Sequence, residues 1–420
     1  MAQFILRWPN ESVSCLATAS APFDEKAISL VLAGSQSGRV SVWRVDSRRA
    51  LVDSQLHAAS VLSLELLAGE QSTAHVLYVL SLARDGRLLM WTIARHAFSR
   101  KSRTDSPPAL SPPVLLLSAN SIGFCGFATL LERPGASGTR FLACLPPQSM
   151  SAICVHPISF SAGHSHSPAL GEPVALDPTS VISSSSDSGS STSSSVGSVM
   201  ALRFCGSCLL AALENGHLVA WFFRVGGASD KQLELLSSSS LPLFSGPLLA
   251  FDVCPTSGVG AAGSASRALA LFSVRGDALT VRVLVRIDLL TASPQPIGSF
   301  AENPEEATAV CSALAFSADG AQLAVALESA ASSASPESAH SAAGSHFHLE
   351  LYHCSVRLDR EVPREDAGAR EVTGSFMNDE LRLKSAHCPT GRLRALAFSL
   401  SRNDKLLFGA NESCIEAYPC

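Results

Sequence analysis

A chain of 420 residues, 46% hydrophobic and only 16% charged, can pack along most of its length, which excludes a largely disordered polymer. The formal charge of −5 gives no electrostatic basis for nucleic acid or an anionic membrane as main partner. No window reaches the roughly 18 uninterrupted apolar residues of a membrane span, since Asp252, Asp319 and Glu328 cut the longest stretches.

In chain order, the first element is an isolated β-type run, Phe4-Ile5-Leu6-Arg7, too short and too quickly polar for a secretory signal. A first repeat copy ends Gly38-Arg39-Val40-Ser41-Val42-Trp43, and a second, fuller one runs from His57 through Val61–Leu64 and Tyr78–Ser81 to Asp85-Gly86 and Trp91. Trp43 and Trp91 lie about one WD40 period apart, roughly 40–45 residues. A weaker third copy passes through Ile122–Phe127 and Phe141–Cys144, and the fourth through Val199–Phe204 and Leu209–Ala212 to Asn215-Gly216 and Trp221. The fifth is again weak (Leu248–Val253, Ala268–Phe272). The sixth runs Ser312–Ser317, Gln322–Ala326 and His348–Tyr352, and the seventh runs Leu393–Ser399, Leu406–Ala410 and Cys414–Tyr418.

Seven copies of short β runs predict an all-β, seven-bladed WD40 β-propeller. The last copy stops after three strands, and the first run of the chain is one strand in surplus, so the N-terminal strand is expected to complete the last blade and close the ring. One domain over 1–420 follows, with low-complexity loop insertions at about 99–113, 160–197, 329–346 and 359–386. The Ser-rich run 183–195 reads as inert spacer in preference to a phosphorylation site near Asp187, and Glu361–Leu383 as a charged loop with no apolar period.

The second copy carries a polar set, His57, Ser81, Asp85 and Trp91, placed for a buried hydrogen-bonded chain from Asp through His and Ser to the indole. The same residue types make hydrolase triads, but the spacing and the tryptophan account for them as structure. Elsewhere Ser37, Asn215 and Glu412 replace the turn Asp, while Ala33, Ala211 and Phe408 replace the hydroxyl, so those blades should rest on apolar packing and the second should be the stiffest. The repeat-end aromatics are Trp43, Trp91, Trp221, Tyr352 and Tyr418.

Other motifs carry little chemistry. Gly258-Val259-Gly260-Ala261-Ala262-Gly263 has the letters of a dinucleotide fingerprint, but a strand follows where a helix is needed. No Gly-Lys-Ser/Thr occurs, so a P-loop is excluded. Cys205-Gly206-Ser207-Cys208 reads as a turn between strands; zinc would need two more ligands. His164/His166 and His346/His348 border low-complexity segments, and Arg100-Lys101-Ser102-Arg103 reads as a solvated loop. Twelve cysteines, mostly in apolar runs (Cys15, Cys125, Cys144, Cys154, Cys254, Cys311, Cys414), fit buried reduced thiols. No metal, cofactor, small-molecule substrate or catalytic residue is assigned.

Beyond the repeat, the order of local motifs resembles the ASTRA-associated protein 1 family, also called guanine-nucleotide-binding β-subunit-like protein 1. The resemblance runs in register over about residues 4–221. It is carried by Ile5-Leu6-Arg7, Gly38–Trp43, Arg48-Arg49, His57 with Val61-Leu62, Arg84-Asp85-Gly86 and Trp91. It continues through Asn120-Ser121-Ile122-Gly123-Phe124-Cys125-Gly126-Phe127, residues 142–146 and 197–202, Glu214-Asn215-Gly216 and Trp221. Asn120, Phe124, Cys125 and Phe127 form its least generic element. Where the family carries a Trp-Asp-Gly turn in its last blade, this chain has Asn411-Glu412-Ser413.

The resemblance implies a non-enzymatic subunit of an ASTRA-type assembly in nucleus and cytoplasm. It implies Tel2- and Tti-type co-chaperone proteins and PI3K-related kinases as partners, with a link to chromatin regulation. Another WD40 adaptor, such as a ubiquitin-ligase substrate receptor, is the alternative, and a propeller enzyme the minor one.

Overall fold

The computed structural model describes residues 3–8, 11–23, 26–67, 76–94, 112–131, 140–160, 168–185, 196–225, 233–264, 268–274, 282–288, 309–329, 346–354, 381–387, 389, 393–398, 406–411 and 414–420. Within them the strands form seven antiparallel sheets. Blade 1 is β2 (Val13–Phe23), β3 (Lys26–Ser35), β4 (Arg39–Arg44) and β5 (Arg49–Gln55), and blade 2 is β6 (Val61–Leu67), β7 (Val76–Ala83), β8 (Arg87–Ala94) and β9 (Val114–Ser118). Blade 3 contains β10 (Ala128–Leu131), β11 (Arg140–Cys144), β12 (Ile153–Phe160), β13 (Pro168–Leu170) and β14 (Val174–Leu176). Blade 4 follows with β15 (Val199–Cys205), β16 (Cys208–Leu213), β17 (His217–Val225) and β18 (Leu233–Pro242). Blade 5 has β19 (Leu248–Val253), β20 (Val259–Ser264), β21 (Ala268–Ser273) and β22 (Arg282–Asp288). Blade 6 is β23 (Ala309–Phe316), β24 (Gln322–Ser329), β25 (His346–Cys354) and β26 (Leu381–His387). Blade 7 joins β27 (Ala395–Phe398), β28 (Leu406–Ala410) and β29 (Cys414–Pro419) to the N-terminal β1 (Phe4–Arg7), with Phe4 opposite Ala417 and Arg7 opposite Cys414.

Packing explains why the strands read as apolar runs without alternation. A propeller blade is covered on both faces by its neighbours, so central strands such as β16 (Cys-Leu-Leu-Ala-Ala-Leu) are buried at every position. The core is accordingly divided among the blade interfaces. Trp91 and Val79 of blade 2 pack with Leu30 and Val42 of blade 1, while Leu80 and Met90 face the other way, onto Phe127 and Leu142 of blade 3. The innermost strands are also stapled to one another. Ser14 Oγ donates to Val61 O at 2.6 Å, Ser312 Oγ to Leu393 O at 2.9 Å, and Thr18 Oγ1 to Phe398 O across the junction of blades 1 and 7. Asp252 accepts from Arg203 Nε at 3.2 Å and from Phe316 N at 2.8 Å, linking blades 4, 5 and 6.

Three sequence expectations are corrected. The 160–197 segment is not wholly a core-less loop. It contains β13, β14 and a helix, α1 (Pro178–Ser185), and Leu176, Val181 and Val196 are buried in the core between blades 3 and 4. Their apolar partners lie on other blades, so no local period announces them. The helix start was readable: Asp177 Oδ1 accepts from Thr179 N at 2.9 Å, and Pro178 occupies the first turn. The 359–386 insertion likewise ends in β26, the outer strand of blade 6, where Leu381, Leu383 and Ser385 alternate with Arg382, Lys384 and Ala386. Finally, Ile122–Phe127 is not strand; β10 begins at Ala128.

Candidate protein-interaction face

Antiparallel alternation places the turns between second and third strands, and the connections from one blade to the next, on one face of the ring. His57 lies on a blade-to-blade connection and Asp85 in the β7–β8 turn, so the two meet there. Asp85 Oδ2 lies 3.1 Å from His57 Nδ1, His57 Nε2 lies 2.9 Å from Ser81 Oγ, and Trp91 Nε1 donates to Ser81 Oγ at 3.2 Å. The proton positions follow from the ends of the chain. An indole only donates, so Ser81 accepts from it and directs its own proton to Nε2, which leaves the imidazole proton on Nδ1, facing Asp85. The carboxylate also accepts from Ala58 N and Arg87 N, both at 3.0 Å. Burial lowers the His57 pKa, against the opposing charge of Asp85, which favours this neutral form. Ser81 is 0% exposed and its hydroxyl is held from both sides, so the set clamps strand to turn and offers no nucleophile to a substrate.

All five repeat-end aromatics fall on third strands (Trp43 on β4, Trp91 on β8, Trp221 on β17, Tyr352 on β25, Tyr418 on β29), and all are buried. In blade 1, Ala33 takes the place of Ser81, and the Trp43 indole nitrogen is buried without a hydrogen-bond partner. Sequence reasoning missed two substitute networks. Blade 1 uses Glu11, whose Oε2 accepts from Ser37 Oγ at 2.6 Å, with Ser35 Oγ 3.0 Å from Ser37 Oγ. Blade 7 buries Glu416, which accepts from Asn411 Nδ2 at 3.0 Å and from the Tyr418 hydroxyl. For Glu416 the signal available was a Glu inside a strand flanked by an aromatic and small apolar residues, a position a carboxylate occupies only when paired. Glu11, ahead of β2, carried no such signal.

The Asn120 motif sits on the same face, between β9 and β10. Asn120 Oδ1 accepts from Ile122 N at 2.9 Å and Gly123 N at 2.8 Å, an Asx turn, while its Nδ2 donates to Ser149 O at 3.0 Å and its own N–H to Leu145 O at 3.1 Å. Ala119 N donates to Gly86 O at 2.8 Å, tying the loop to the β7–β8 turn. The far end is anchored by burial in two different interfaces: Cys125 enters the core shared by blades 3 and 4, and Phe127 the one shared by blades 2 and 3. Gly126 lies so close to blade 2 that a Cβ there would come within 2.7 Å of Ser63 Cβ. Between these anchors Ile122 and Phe124 point outward, 69% and 67% exposed, the highest values among the large hydrophobics in the described residues. The Arg84 guanidinium lies over the Phe124 ring, 4.4 Å from its centroid.

The remaining motifs do not build a site. Gly258–Gly263 forms a turn and β20, followed by another strand. A Cβ on Gly260 would fall 2.1 Å from the Phe272 ring, so its hydrogen serves close packing. Cys205 and Cys208 face each other across a hairpin turn and are free thiols. Cys125 and Cys254 are buried as expected but lie in connections, outside the strands. Burial pushes the thiols of Cys15, Cys125, Cys144 and Cys311 up to about 12, which leaves them protonated and poor as ligands or nucleophiles. Among the described residues no group of three His, Cys, Asp or Glu could hold a metal ion, and no helix is long and apolar enough to cross a membrane. His164, His166 and Arg100–Arg103 lie outside the described residues, and His346 and His348 are placed on β25 by their backbone alone.

These blades, turns and third-strand aromatics define a seven-bladed WD40-type β-propeller, and solved structures agree. The β-propeller domain of Cps50 (Swd1) from Myceliophteria thermophila aligns over 100% of this chain and 99% of its own, with a TM-score of 0.57 at 12% identity. The WD40 repeats of RRP9 align over 99% of this chain and 97% of theirs (TM-score 0.52, 13% identity). U3-55K covers 99% and 98% (TM-score 0.51, 13% identity). At such identities the likeness is one of fold. No protein-family model and no curated protein matches the chain.

Proposed function

We propose that this chain is a non-enzymatic platform for protein–protein interaction, formed by one propeller domain over residues 1–420. The observation that carries the reading is the braced loop at Asn120. It holds two large apolar side chains in solvent on a fixed backbone, next to a closed polar network with no reactive group. A lone exposed apolar residue needs no explanation, but two adjacent ones on a multiply anchored loop are the arrangement of a binding surface. The motif resemblance over residues 4–221, which includes this loop, supports a more particular reading as a subunit of an ASTRA-type assembly. In it the protein serves the maturation of PI3K-related kinases with Tel2- and Tti-type co-chaperones, in nucleus and cytoplasm, with a link to chromatin regulation.

The test is affinity purification of the full chain from its native cells, tagged within residues 186–195 so that β1 and β29 stay paired. Recovery of Tel2- and Tti-type proteins or PI3K-related kinases is expected. Cullin-linked adaptors in their place would replace the ASTRA reading with that of a ubiquitin-ligase receptor. A preparation without stoichiometric partners would remove the platform reading itself.

A further inference from the structure

The exposed pair at Ile122 and Phe124 has a charged border. Arg84 stacks on Phe124, and Arg87, exposed at the start of β8, follows three residues later. Among the described residues no ion pair reaches either guanidinium. The carboxylate between them, Asp85, directs its oxygens to His57 and to the amides of Ala58 and Arg87, and with His57 neutral it keeps its charge and offsets one of the two guanidiniums. The patch therefore offers two apolar side chains with the Arg84 guanidinium on one of them. Arg84, Arg87 and the ionised Asp85 together carry one net positive charge, on a chain whose net charge is −5. The loop backbone is held before any ligand arrives, so binding would cost little ordering entropy.

Resting on the platform reading, we propose that this edge of the face binds an acidic segment of a partner protein. Bulky apolar side chains of that segment pack on Ile122 and Phe124, while its carboxylates meet Arg84 and Arg87. Charge complementarity selects the occupant: a basic segment would meet two guanidiniums, and a neutral one would leave them unpaired over a partly desolvated surface. Nucleic acid is disfavoured, because two cations on a net-negative chain neutralise few phosphates.

The probe is a phage-displayed random peptide library panned on the full chain, with the I122S/F124S double variant as counter-selection. Both positions are exposed, so the variant should keep the wild-type urea midpoint. The surviving peptides are expected to carry Asp or Glu beside Phe, Leu or Trp. Their affinity should fall by about tenfold or more in F124S, an anchor-sized effect. It should also fall in R84Q/R87Q and with rising salt. Survivors that are basic or uncharged, an absence of survivors, or displacement of the peptides by a single-stranded oligonucleotide would overturn the assignment. The two readings separate in the affinity purification. The same partners recovered with wild type and I122S/F124S would leave the platform standing and remove this patch, whereas no partners with wild type would remove the platform.

Discussion

His57 is held neutral by burial, which lowers its pKa below the ordinary 6.5 despite the pull of Asp85. An unfolded chain therefore takes up a proton that the fold refuses, and the sign of the effect follows. The contribution of the network is complete above about pH 6.5 and is lost as pH falls from there toward the lowered folded value. Replacing the imidazole with an amide that does not titrate should flatten this slope. Urea unfolding of wild type and His57→Gln on either side of pH 6.5 measures it, and equal slopes would refute the linkage. His57→Ala strands Asp85 and Ser81 together, with an expected loss of about 2 kcal/mol at neutral pH. This network was legible from the sequence because its members fall at repeat-defined positions. The Glu11–Ser37 pair was not, because it joins the connection ahead of β2 to the β3–β4 turn 26 residues on, while Glu416 was announced only by a carboxylate inside an apolar strand.

The Asn120 loop shows what an element gains from being tied at several points. Its Asx turn satisfies the Ile122 and Gly123 amides, and the same side chain reaches Ser149 in the β11–β12 turn of blade 3. Asn120→Ala frees both amides and cuts that tie. A loss of about 1 kcal/mol is expected, with faster hydrogen exchange at Ile122 and Gly123 and unchanged exchange in β6–β8. Asn120→Asp keeps the acceptor and should retain most of the protection, which separates the turn from the Ser149 bond. The motif itself could be read from the chain, but its conformation could not. An alternation of large and small apolar residues looks like strand, and only the neighbouring blades decide that Phe127 and Cys125 enter two different cores while Phe124 faces water.

Across the whole molecule, stability depends on closing the ring. The N-terminal strand supplies the outer edge of blade 7, and the chain then crosses to blade 1, burying Leu6 and Trp8 and placing Trp8 Nε1 3.3 Å from Asp53 Oδ1. Deleting residues 1–8 removes both side chains from the core, a loss of about 4 kcal/mol by apolar transfer. It also leaves β29 as an unpaired edge that invites association. A lower urea midpoint together with increased light scattering is the expected result, and an unchanged midpoint would show that β29 does not need its partner.

By itself the sequence determined the seven-fold repeat, the surplus strand at one end that meets the deficit at the other, the third-strand aromatics and the polar set of blade 2. Each of these is written in local spacing: turn residues, short apolar runs and a recurring interval. The tertiary structure alone decided the rest. It made a helix and short strands of residues 168–185, an outer strand of residues 381–387, and an exposed apolar edge of Ile122 and Phe124. In a propeller each blade is buried by other blades, so whether an apolar side chain faces core or solvent is settled by contacts far apart in sequence, which no local pattern records.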